Sequence, residues 1–479
     1  MSSDTRSEDA PQMERMSGLD AGFYYFDSPG MHLHIGAILI FAKSGLAGRD
    51  PFEATRERIA ARIGQMERFM QRVVEVPFGL AEPYWVDDAG FDLDRHLHLG
   101  GSKHPVSVEE LVEMAGATIS VPLDKSQALW EITVVPEVQG DRFALLAKIH
   151  HVLLDGVLGI EVLAQLFDVS PEAAGGEAPA APVVGSAPQA GLGDFLREVA
   201  DSVIGKVREA PVDFGRLAAL AKDWVRFSLE DTDAKGLKPL FGAPRTPING
   251  NLGKERSTAV LQVPLDEVES IATRAGVRMN DVVLWTVSTG LARYLQARGW
   301  EGGKDLVAMM PMAHSQRRQG AGSNQVTALF VSLYNTIPDA LGRLSAIAGA
   351  TAAAKRFHRE AELADFVEMT KYLPPVFTWA FSRVLHEVKA FEVLPPAFNL
   401  LVTTVRGIDF PLYFSGSELL EVIPFGPLAE SAGLNVTALS YNGTLEIGLV
   451  GEARLVPGLA ELPGLFEAAL AELGAALPR

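Results

Sequence analysis

The chain of 479 residues contains no cysteine, which excludes several kinds of chemistry at once. Without thiols there is no disulfide framework, no zinc–thiolate site and no cysteine nucleophile. The chain also lacks an uncharged apolar run of about 18 residues, so no membrane-spanning helix is predicted. Its first residues, MSSDTRSEDAPQMERM, are polar and have no apolar signal-peptide core. We therefore expect a cytoplasmic protein.

Basic residues are outnumbered by acidic ones. The 42 Lys and Arg against 60 Asp and Glu give a formal net charge of −18. This balance argues against binding to nucleic acid, or to an anionic membrane, by bulk electrostatic attraction. It leaves room for a local basic channel that admits an anionic co-substrate. We expect no nucleic-acid partner.

The length and the patterning predict two α/β halves, because one core rarely serves so long a chain. Residues 1–15 are expected to be a disordered tail, and residues 16–168 an N-terminal half. Residues 169–242 are expected to be an Ala-, Pro- and Gly-rich linker with helical segments, followed by a C-terminal half at 243–479. Aliphatic and β-branched runs predict strands at His32–Ala42, Leu129–Val135, Arg142–Ile149, 257–265, Leu306–Met312, Phe398–Val405 and Leu445–Val450. Helical spacing predicts helices after Pro51 and at 157–168, 266–276 and 279–299.

The most informative segment is KIHHVLLDG, from Lys148 to Gly156. Side chains alternate along a strand, so His150 and His151 are expected to face opposite ways. A histidine at a strand end can act as general base, since its pKa lies near the operating pH. Asp155 is placed to orient the loop or to pair with a cation, and Gly156 permits close approach of a backbone or ligand. A bare His-His pair is more often structural, but the spacing HHxxxDG between a strand and a helix is more specific.

Four other histidines could suggest a metal site, but their spacing does not support one. His32 and His34 share one face of a predicted strand, but the sequence shows no acidic or histidine partner at ligand spacing. His96 and His98 have the same alternating pattern and also lack an acidic or histidine partner at ligand spacing. We interpret all four as structural, and we expect no metal and no bound cofactor.

Two further segments admit more than one interpretation. AESAG, at Ala429–Gly433, imitates the nucleophile elbow of α/β-hydrolases, but it lacks the first glycine and the strand that leads into it. Ser431 is therefore interpreted as part of a turn and not as a nucleophile. Residues 365–391 carry many aromatic side chains around Pro374-Pro375. They predict a buried helical pair or, alternatively, a lipid-facing surface.

HHxxxDG is the motif of the condensation-domain and CoA-dependent acyltransferase superfamily. Seven further blocks are informative and span most of the chain. They are MSGLDAGFYYFDSP (Met16–Pro29), HIGA (His34–Ala37), WVDDAGFDLDRHL (Trp85–Leu97), PLDKSQALWE (Pro122–Glu131), APRTPINGNLGKER (Ala243–Arg256), MNDVVL (Met279–Leu284) and GPLAESAGLNVTALSYNGTLEIGLV (Gly426–Val450). In these blocks and in their order the chain resembles the bacterial wax ester synthase/acyl-CoA:diacylglycerol acyltransferase family.

The resemblance implies two chloramphenicol-acetyltransferase-like subdomains, each a mixed sheet packed with helices, with the motif between them. It also implies that His151 is the general base, that His150 is a structural member of the motif, and that acyl-CoA is the co-substrate. CoA would enter the site from one side and the acceptor from the other. The implied acceptors are diacylglycerol and long-chain alcohols, so peripheral contact with the inner membrane or a lipid droplet stays open.

Three further residues gain a substrate-site interpretation from the resemblance. Asn280 and Asp281 match the family's Asn-Asp motif, although capping of a helix start explains them equally well. Trp130 belongs to the segment that contains Pro-Leu-Trp in the family, where it would line a channel, although a core tryptophan is the simpler interpretation. The chain departs from the family at Ala128, which replaces a proline, and at Arg406 in TTVRG. The second departure leaves substrate preference open.

Two other classes of function stay open at this level. A related HHxxxDG acyltransferase would act on a shorter-chain or polyketide-type acceptor, because channel shape and not the motif decides the acceptor. A catalytically silent lipid-binding homologue would share the fold but show no turnover. The intact motif favours an enzyme.

Overall fold

A computed structural model describes residues 13–27, 30–76, 81–153, 165–172, 242–313, 326–360, 384 and 386–478. These residues form an α/β structure with two six-stranded mixed sheets and a small three-stranded sheet. The α/β class and the two sheet-rich halves predicted from the sequence are confirmed.

The strands and helices are numbered in chain order. The strands are β1 (Met13–Arg15), β2 (His34–Ala42), β3 (Gln71–Val74), β4 (Tyr84–Asp87), β5 (Leu97–Leu99), β6 (Trp130–Val138), β7 (Arg142–His150), β8 (Arg256–Pro264), β9 (Val307–Ala313), β10 (Val326–Ser332), β11 (Leu400–Val405), β12 (Tyr413–Phe414), β13 (Ser417–Phe425), β14 (Leu434–Tyr441) and β15 (Thr444–Glu452). The helices are α1 (Gly18–Phe26), α2 (Pro51–Arg62), α3 (Val108–Ser120), α4 (Leu265–Ala275), α5 (Met279–Gln296), α6 (Ala340–Glu360) and α7 (Leu462–Ala476). Within the described ranges, no helix is both long and apolar enough to cross a bilayer.

Local sequence signals set the ends of several helices. Asp50 caps α2 by accepting from two backbone N–H groups, and Pro51 follows at the first helical position. Ser107 and Glu110 form a reciprocal capping box at the start of α3. Gly276 ends α4 with φ +67°, a left-handed conformation that glycine adopts without steric cost.

The first large sheet has the order β12-β13-β2-β7-β6-β5. Its centre is the antiparallel pair β2 and β7, in which His34 lies opposite His150 and Ala42 opposite Arg142. This register places the last residue of β7 at the same sheet edge as the first residue of β2. The end of the central strand therefore meets the segment that leads into β2.

The second large sheet has the order β10-β9-β11-β14-β15-β8 and mixes parallel with antiparallel pairs. Helices α5 and α7 pack against each other beside it, and α5 also packs on α6. Gly290 of α5 permits this close packing, because a Cβ there would lie 2.3 Å from Cδ1 of Phe466 in α7. The centre of α5 is buried, which explains its almost unbroken apolar face.

The halves are not separated cleanly at residue 243, because β12 and β13 belong to the first sheet. β13 pairs antiparallel with β2, with Phe425 opposite Gly36 and Ile423 opposite Ile38. It also touches the second sheet, since a Cβ on Gly448 of β15 would lie 1.7 Å from the carbonyl oxygen of Pro424. Only glycine permits this approach. The predicted C-terminal half thus contributes two strands to the N-terminal one.

Helix α3 forms a second junction between the halves. The hydroxyl of Thr258 in β8 donates to the carbonyl oxygen of Val112 at 2.5 Å, and the backbone N–H of Arg256 donates to the hydroxyl of Ser120 at 2.8 Å. One continuous apolar core includes side chains from β2 and α3 together with side chains from the whole second sheet. The two halves therefore share a core instead of meeting at a polar interface.

Most predicted elements are confirmed with small shifts at their ends. The predicted strand at His32–Ala42 begins at His34, and the strand at Leu129–Val135 continues to Val138. The prediction of a disordered tail at 1–15 is wrong at its end, because Met13–Arg15 pairs with β4. The predicted helix at 157–168 lies largely outside the described residues, as do most of the linker and most of the 365–391 segment.

A buried carboxylate lies where the two sheets meet. Glu446 of β15 is 1% exposed, and its Oε1 accepts from the amide of Gln262 at 3.0 Å. The same amide donates to Glu421 of β13 at 2.8 Å, and Glu421 also accepts from Arg142 at 2.9 Å. Burial, with the charge of Glu421, raises the pKa of Glu446 to about 8.

Glu446 makes stability depend on pH in a defined window. Its pKa is higher in the folded chain than the ordinary value of 4.5, so the folded state holds the proton more tightly. As pH rises from 4.5 to 8 the unfolded state loses its proton first, and the free energy of unfolding falls by an amount on the order of a few kcal/mol. Glu446→Gln should remove this part of the decline in denaturant unfolding measured from pH 5 to 9. Glu467→Gln, on the exposed face of α7, is the matched control, and an unchanged decline in Glu446→Gln would contradict the assignment.

Candidate active site

Backbone hydrogen bonds hold the two motif histidines at the end of β7. The N–H of His150 donates to the carbonyl oxygen of Leu129 at 2.9 Å, just before β6. The N–H of His151 donates to the carbonyl oxygen of Leu33 at 2.8 Å, just before β2. The chain then turns, with the N–H of Leu153 donating to the carbonyl oxygen of His150 at 2.9 Å. His151 is therefore the first residue beyond the strand and is anchored on both sides.

The two rings have different surroundings, as strand alternation predicts. His150 is fully buried, and its ring lies near those of Tyr24 and His34, with centroids 6.2 and 5.9 Å away. His151 is only partly buried, and its ring stacks on Phe23 with centroids 4.9 Å apart and an interplanar angle of 22°. Of the two, His151 is the one with solvent access, which a substrate-facing base needs.

A buried carboxylate, Asp27, lies at the centre of a polar cluster behind the motif. Its side chain is 7% exposed, and its Oδ2 lies 3.5 Å from Nε2 of His150 and 3.2 Å from Nζ of Lys125. Its Oδ1 lies 3.6 Å from Nδ1 of His32. His34 stacks on His32 with ring centroids 5.4 Å apart. A strand pair, the end of α1 and the segment before β6 thus bring their polar side chains to one place.

Burial and the neighbouring groups decide the charges in this cluster. Burial alone would raise the pKa of Asp27, but His150, His32 and Lys125 outweigh it and hold that pKa well below its usual range. Burial lowers the pKa of His150, and burial together with His150 lowers that of His34. At neutral pH the cluster therefore contains an ionised Asp27 beside neutral His150 and His34 rings.

The sequence shows no partner for His32 and His34 at metal-ligand spacing, and the fold brings Asp27 and His150 close to them. Asp27 lies shortly before His32 in the chain, whereas His150 comes from β7, more than a hundred residues after β2. Among the described residues, no group of three or more acidic or histidine side chains has the arrangement to hold a metal ion. The two residues of the other histidine pair differ in burial, since His96 is buried against Trp130 and His98 is exposed.

Packing accounts for Trp130 in the structure. Its side chain is 2% exposed, stacks on His96 with centroids 4.5 Å apart, and donates from Nε1 to the carbonyl oxygen of Phe69 at 2.8 Å. Ala128, which departs from the family pattern, is buried beside it. These contacts support the interpretation of Trp130 as a core residue.

Asn280 and Asp281 lie in the first turn of α5. Asp281 is 3% exposed and accepts from the backbone N–H of Arg278 at 3.1 Å and from the hydroxyl of Thr351 at 2.7 Å. Both of its oxygens therefore serve the helix start and the contact with α6. The amide nitrogen of Asn280 is buried and has no hydrogen-bond partner among the described residues. Of the two, Asn280 retains a free donor.

The four remaining predicted positions have different outcomes. Asp155 and Gly156 lie outside the described residues. Ser431 is 6% exposed and has φ +72° in a turn, and its carbonyl oxygen accepts from Asn249 at 2.7 Å. No strand leads directly into it, so the turn interpretation stands. Arg406 is exposed and pairs with Asp409 at 3.3 Å.

Asp27 and Lys125 are the site residues that the sequence interpretation missed. Both lie in blocks that resemble the family, MSGLDAGFYYFDSP and PLDKSQALWE, so a signal for them existed. It could not be used, because nothing local says that the end of α1 meets the segment before β6.

Similarity to solved structures defines the class of protein by its fold. The wax ester synthase/diacylglycerol acyltransferase from Marinobacter aquaeolei VT8 superposes with a TM-score of 0.64 at 22% identity, over 96% of this chain and 98% of that one. The first condensation domain of the calcium-dependent antibiotic synthetase superposes with a TM-score of 0.56 at 17% identity, over 97% and 96%. The fold is therefore that of condensation domains and chloramphenicol-acetyltransferase-like enzymes.

Sequence comparison narrows this class to one family. The model described as the wax ester synthase/diacylglycerol acyltransferase catalytic domain matches residues 16–283, and that of the WS/DGAT C-terminal domain matches residues 322–474. Two proteins of Mycobacterium tuberculosis named as candidate diacylglycerol O-acyltransferases are 30% and 29% identical to this chain. Each alignment covers 96% of this chain, with 90% of the first protein and 99% of the second. The chain belongs to the wax ester synthase/diacylglycerol acyltransferase family.

The neutral histidines predict a loss of stability in acid. His34 accepts from the backbone N–H of Leu123 at 3.5 Å, and its pKa is lowered well below 6.5 in the folded chain. Above pH 6.5 His34 is neutral in both the folded and the unfolded state. Below pH 6.5 the unfolded state takes up the proton first, so the free energy of unfolding decreases as the pH is lowered. His34→Gln should make the decline between pH 6.5 and 4.5 shallower, by about 1.4 kcal/mol for each unit of pKa difference removed. Denaturant titrations would measure this, with exposed His98→Gln as control; equal slopes in wild type and His34→Gln would contradict it.

Proposed function

We propose that the protein is an acyl-CoA-dependent O-acyltransferase that esterifies diacylglycerol or a long-chain alcohol, with His151 as general base. The observation that carries the proposal is the position of His151. It is the second histidine of HHxxxDG, anchored just beyond β7, and its partly exposed ring stacks on Phe23, whereas His150 lies in the buried cluster. Membership of an acyltransferase family supports the reaction type.

The proposed reaction is a direct transfer. The lipid hydroxyl oxygen attacks the thioester carbonyl carbon while a ring nitrogen of His151 takes the hydroxyl proton. The tetrahedral intermediate then collapses, the carbon–sulfur bond breaks, and the imidazolium returns the proton to the CoA sulfur. The products are an ester and CoA. General base catalysis of this kind contributes about 10²–10⁴-fold in rate.

The oxyanion of the intermediate needs a hydrogen-bond donor. Asn280 is our candidate, because its amide nitrogen is buried and has no partner among the described residues. One such donor contributes about 10²–10³-fold in kcat. Asp281, whose oxygens are used at the helix start, is better explained as support for that turn.

Direct attack is favoured because the chain offers no convincing enzyme nucleophile. It has no cysteine, and Ser431 is buried in a turn instead of exposed at the end of a strand. We propose acyl-CoA as co-substrate, with no bound cofactor. The proposed acceptors are insoluble in water, so peripheral contact of a cytoplasmic protein with a membrane or lipid droplet belongs to the same proposal.

The choice between acceptors needs an assay. The Mycobacterium tuberculosis relatives are named for diacylglycerol alone, whereas the Marinobacter protein is named for both wax esters and diacylglycerol. Labelled long-chain acyl-CoA should therefore be offered with diacylglycerol and with hexadecanol in parallel, and the neutral lipids separated. Labelled ester from neither acceptor would overturn the proposed function.

His151→Ala should lower kcat by at least about 10²-fold, because it removes the base without touching the buried cluster. The measurement is the initial rate of labelled ester formation, with thermal unfolding to verify the fold. His98→Ala, an exposed histidine of the same half, should retain the wild-type rate. A folded His151→Ala protein with a near-normal rate would disprove the role of His151 as general base.

Direct attack also predicts that no acyl-enzyme forms. Labelled acyl-CoA mixed rapidly with the protein in the absence of acceptor should leave the denatured protein unlabelled. A nucleophilic enzyme would accumulate label in a burst and follow ping-pong kinetics. Stoichiometric label on any side chain would contradict the mechanism, and label on Ser431 would restore the hydrolase-like interpretation.

A further inference from the structure

One short helix, α1, contacts both histidines of the motif. Phe23, in the middle of the helix, stacks on the ring of His151. Asp27, the residue that follows the helix, faces the ring of His150 at 3.5 Å. The site therefore depends on a segment more than a hundred residues earlier in the chain than HHxxxDG itself.

One hydrogen bond and one ion-pair contact of the His150 ring define its tautomer. The backbone N–H of Val152 donates to Nδ1 of His150 at 3.2 Å, so Nδ1 carries no proton. A neutral imidazole then holds its proton on Nε2. Nε2 is the atom that faces Oδ2 of Asp27, and an ionised carboxylate there favours this tautomer over the other.

The surroundings of Asp27 keep it ionised and in place. Nζ of Lys125 lies 3.2 Å from its Oδ2, and the same ammonium group lies 4.2 Å from the ring centroid of Tyr24. Tyr24 in turn donates to Glu75 at 3.0 Å. A buried carboxylate with these contacts has little freedom to move, so it can hold the ring of His150 in one orientation.

We propose that Asp27 is a positioning residue for the catalytic motif and acts through His150. By keeping the proton of His150 on Nε2, Asp27 leaves Nδ1 free to accept from Val152. That bond ties the His150 side chain to the turn that the backbone bond from Leu153 to His150 closes, and this turn sets the direction of the His151 ring. The proposal rests on the proposed function of His151, but its structural part, the tautomer of His150, does not.

Asp27→Asn should lower kcat by about 10- to 100-fold, because small misplacements of a reacting group have effects of this size. The KM for acyl-CoA should stay near the wild-type value, since no substrate contact is removed. Asp20→Asn is the matched control. Asp20 lies in α1, close in the chain to Asp27, is also a buried carboxylate, and accepts from the hydroxyl of Ser17 at the helix start, so its variant should keep the wild-type kcat.

A double-mutant cycle separates positioning from a general loss of structure. If Asp27 acts through His150, Asp27→Asn should cause no further loss of kcat in a His150→Gln background. If Asp27 only neutralises Lys125, the two losses should multiply, and that result would overturn the proposal. An Asp27→Asn protein with unchanged kcat would also overturn the proposal.

The tautomer supplies a readout that needs no turnover. Long-range ¹H–¹⁵N spectra of ¹⁵N-histidine-labelled protein, with His150 assigned from the His150→Gln spectrum, should show the Nε2–H form in the wild type. Asp27→Asn should shift the two ring nitrogens of His150 toward a tautomer mixture, and Asp20→Asn should not. An Nδ1–H form of His150 in the wild type would refute the positioning role even if acyl transfer is confirmed. Full activity of His151→Ala would instead refute the proposed function and leave the tautomer result standing.

Discussion

The passage of β13 from the second half of the chain into the first sheet is the constraint on which the rest of the structure depends. It requires the backbone of β15 to approach that of β13 at Gly448 and Pro424, where no side chain larger than hydrogen fits. β13 pairs with β2, and β2 pairs with β7 in the register that places His34 opposite His150. The position of the motif histidines therefore follows from a contact between the two sheets.

The same architecture places a polar cluster at each end of β7. Near its start, Arg142 reaches the carboxylate of Glu421, which shares an amide with the protonated Glu446. Near its end, His150 faces the ionised Asp27. A buried polar group costs free energy unless it is paired or hydrogen-bonded, so each cluster favours the arrangement of strands that supplies its partners. The first cluster joins the sheets, and the second lies on the buried side of HHxxxDG.

Much of the secondary structure was predictable because it is encoded locally. β2 and β7 are continuous aliphatic runs, α2 begins at an Asp-Pro pair, and α4 ends at a glycine. β13 escaped prediction, since Glu418 and Glu421 interrupt its apolar pattern and its partner β2 lies almost 400 residues earlier. The tail was misjudged for a related reason, because the polar strand Met13–Arg15 exists only through its pairing with β4. Pairing over such distances has no local signature.

The sequence by itself determined the α/β class, the family, the motif HHxxxDG and the opposite orientation of His150 and His151, because each depends on residue type, order or strand alternation. Only the tertiary structure decided what surrounds these histidines. Asp27, Lys125 and His34 come from three separate segments, and the charge states of Asp27 and His34 follow from burial and mutual distance, which no linear pattern records. The packing role of Trp130 was likewise decided by its neighbours His96 and Phe69. The physical reason is the same throughout: alternation and propensity act between near neighbours in the chain, whereas desolvation and electrostatics act between near neighbours in space.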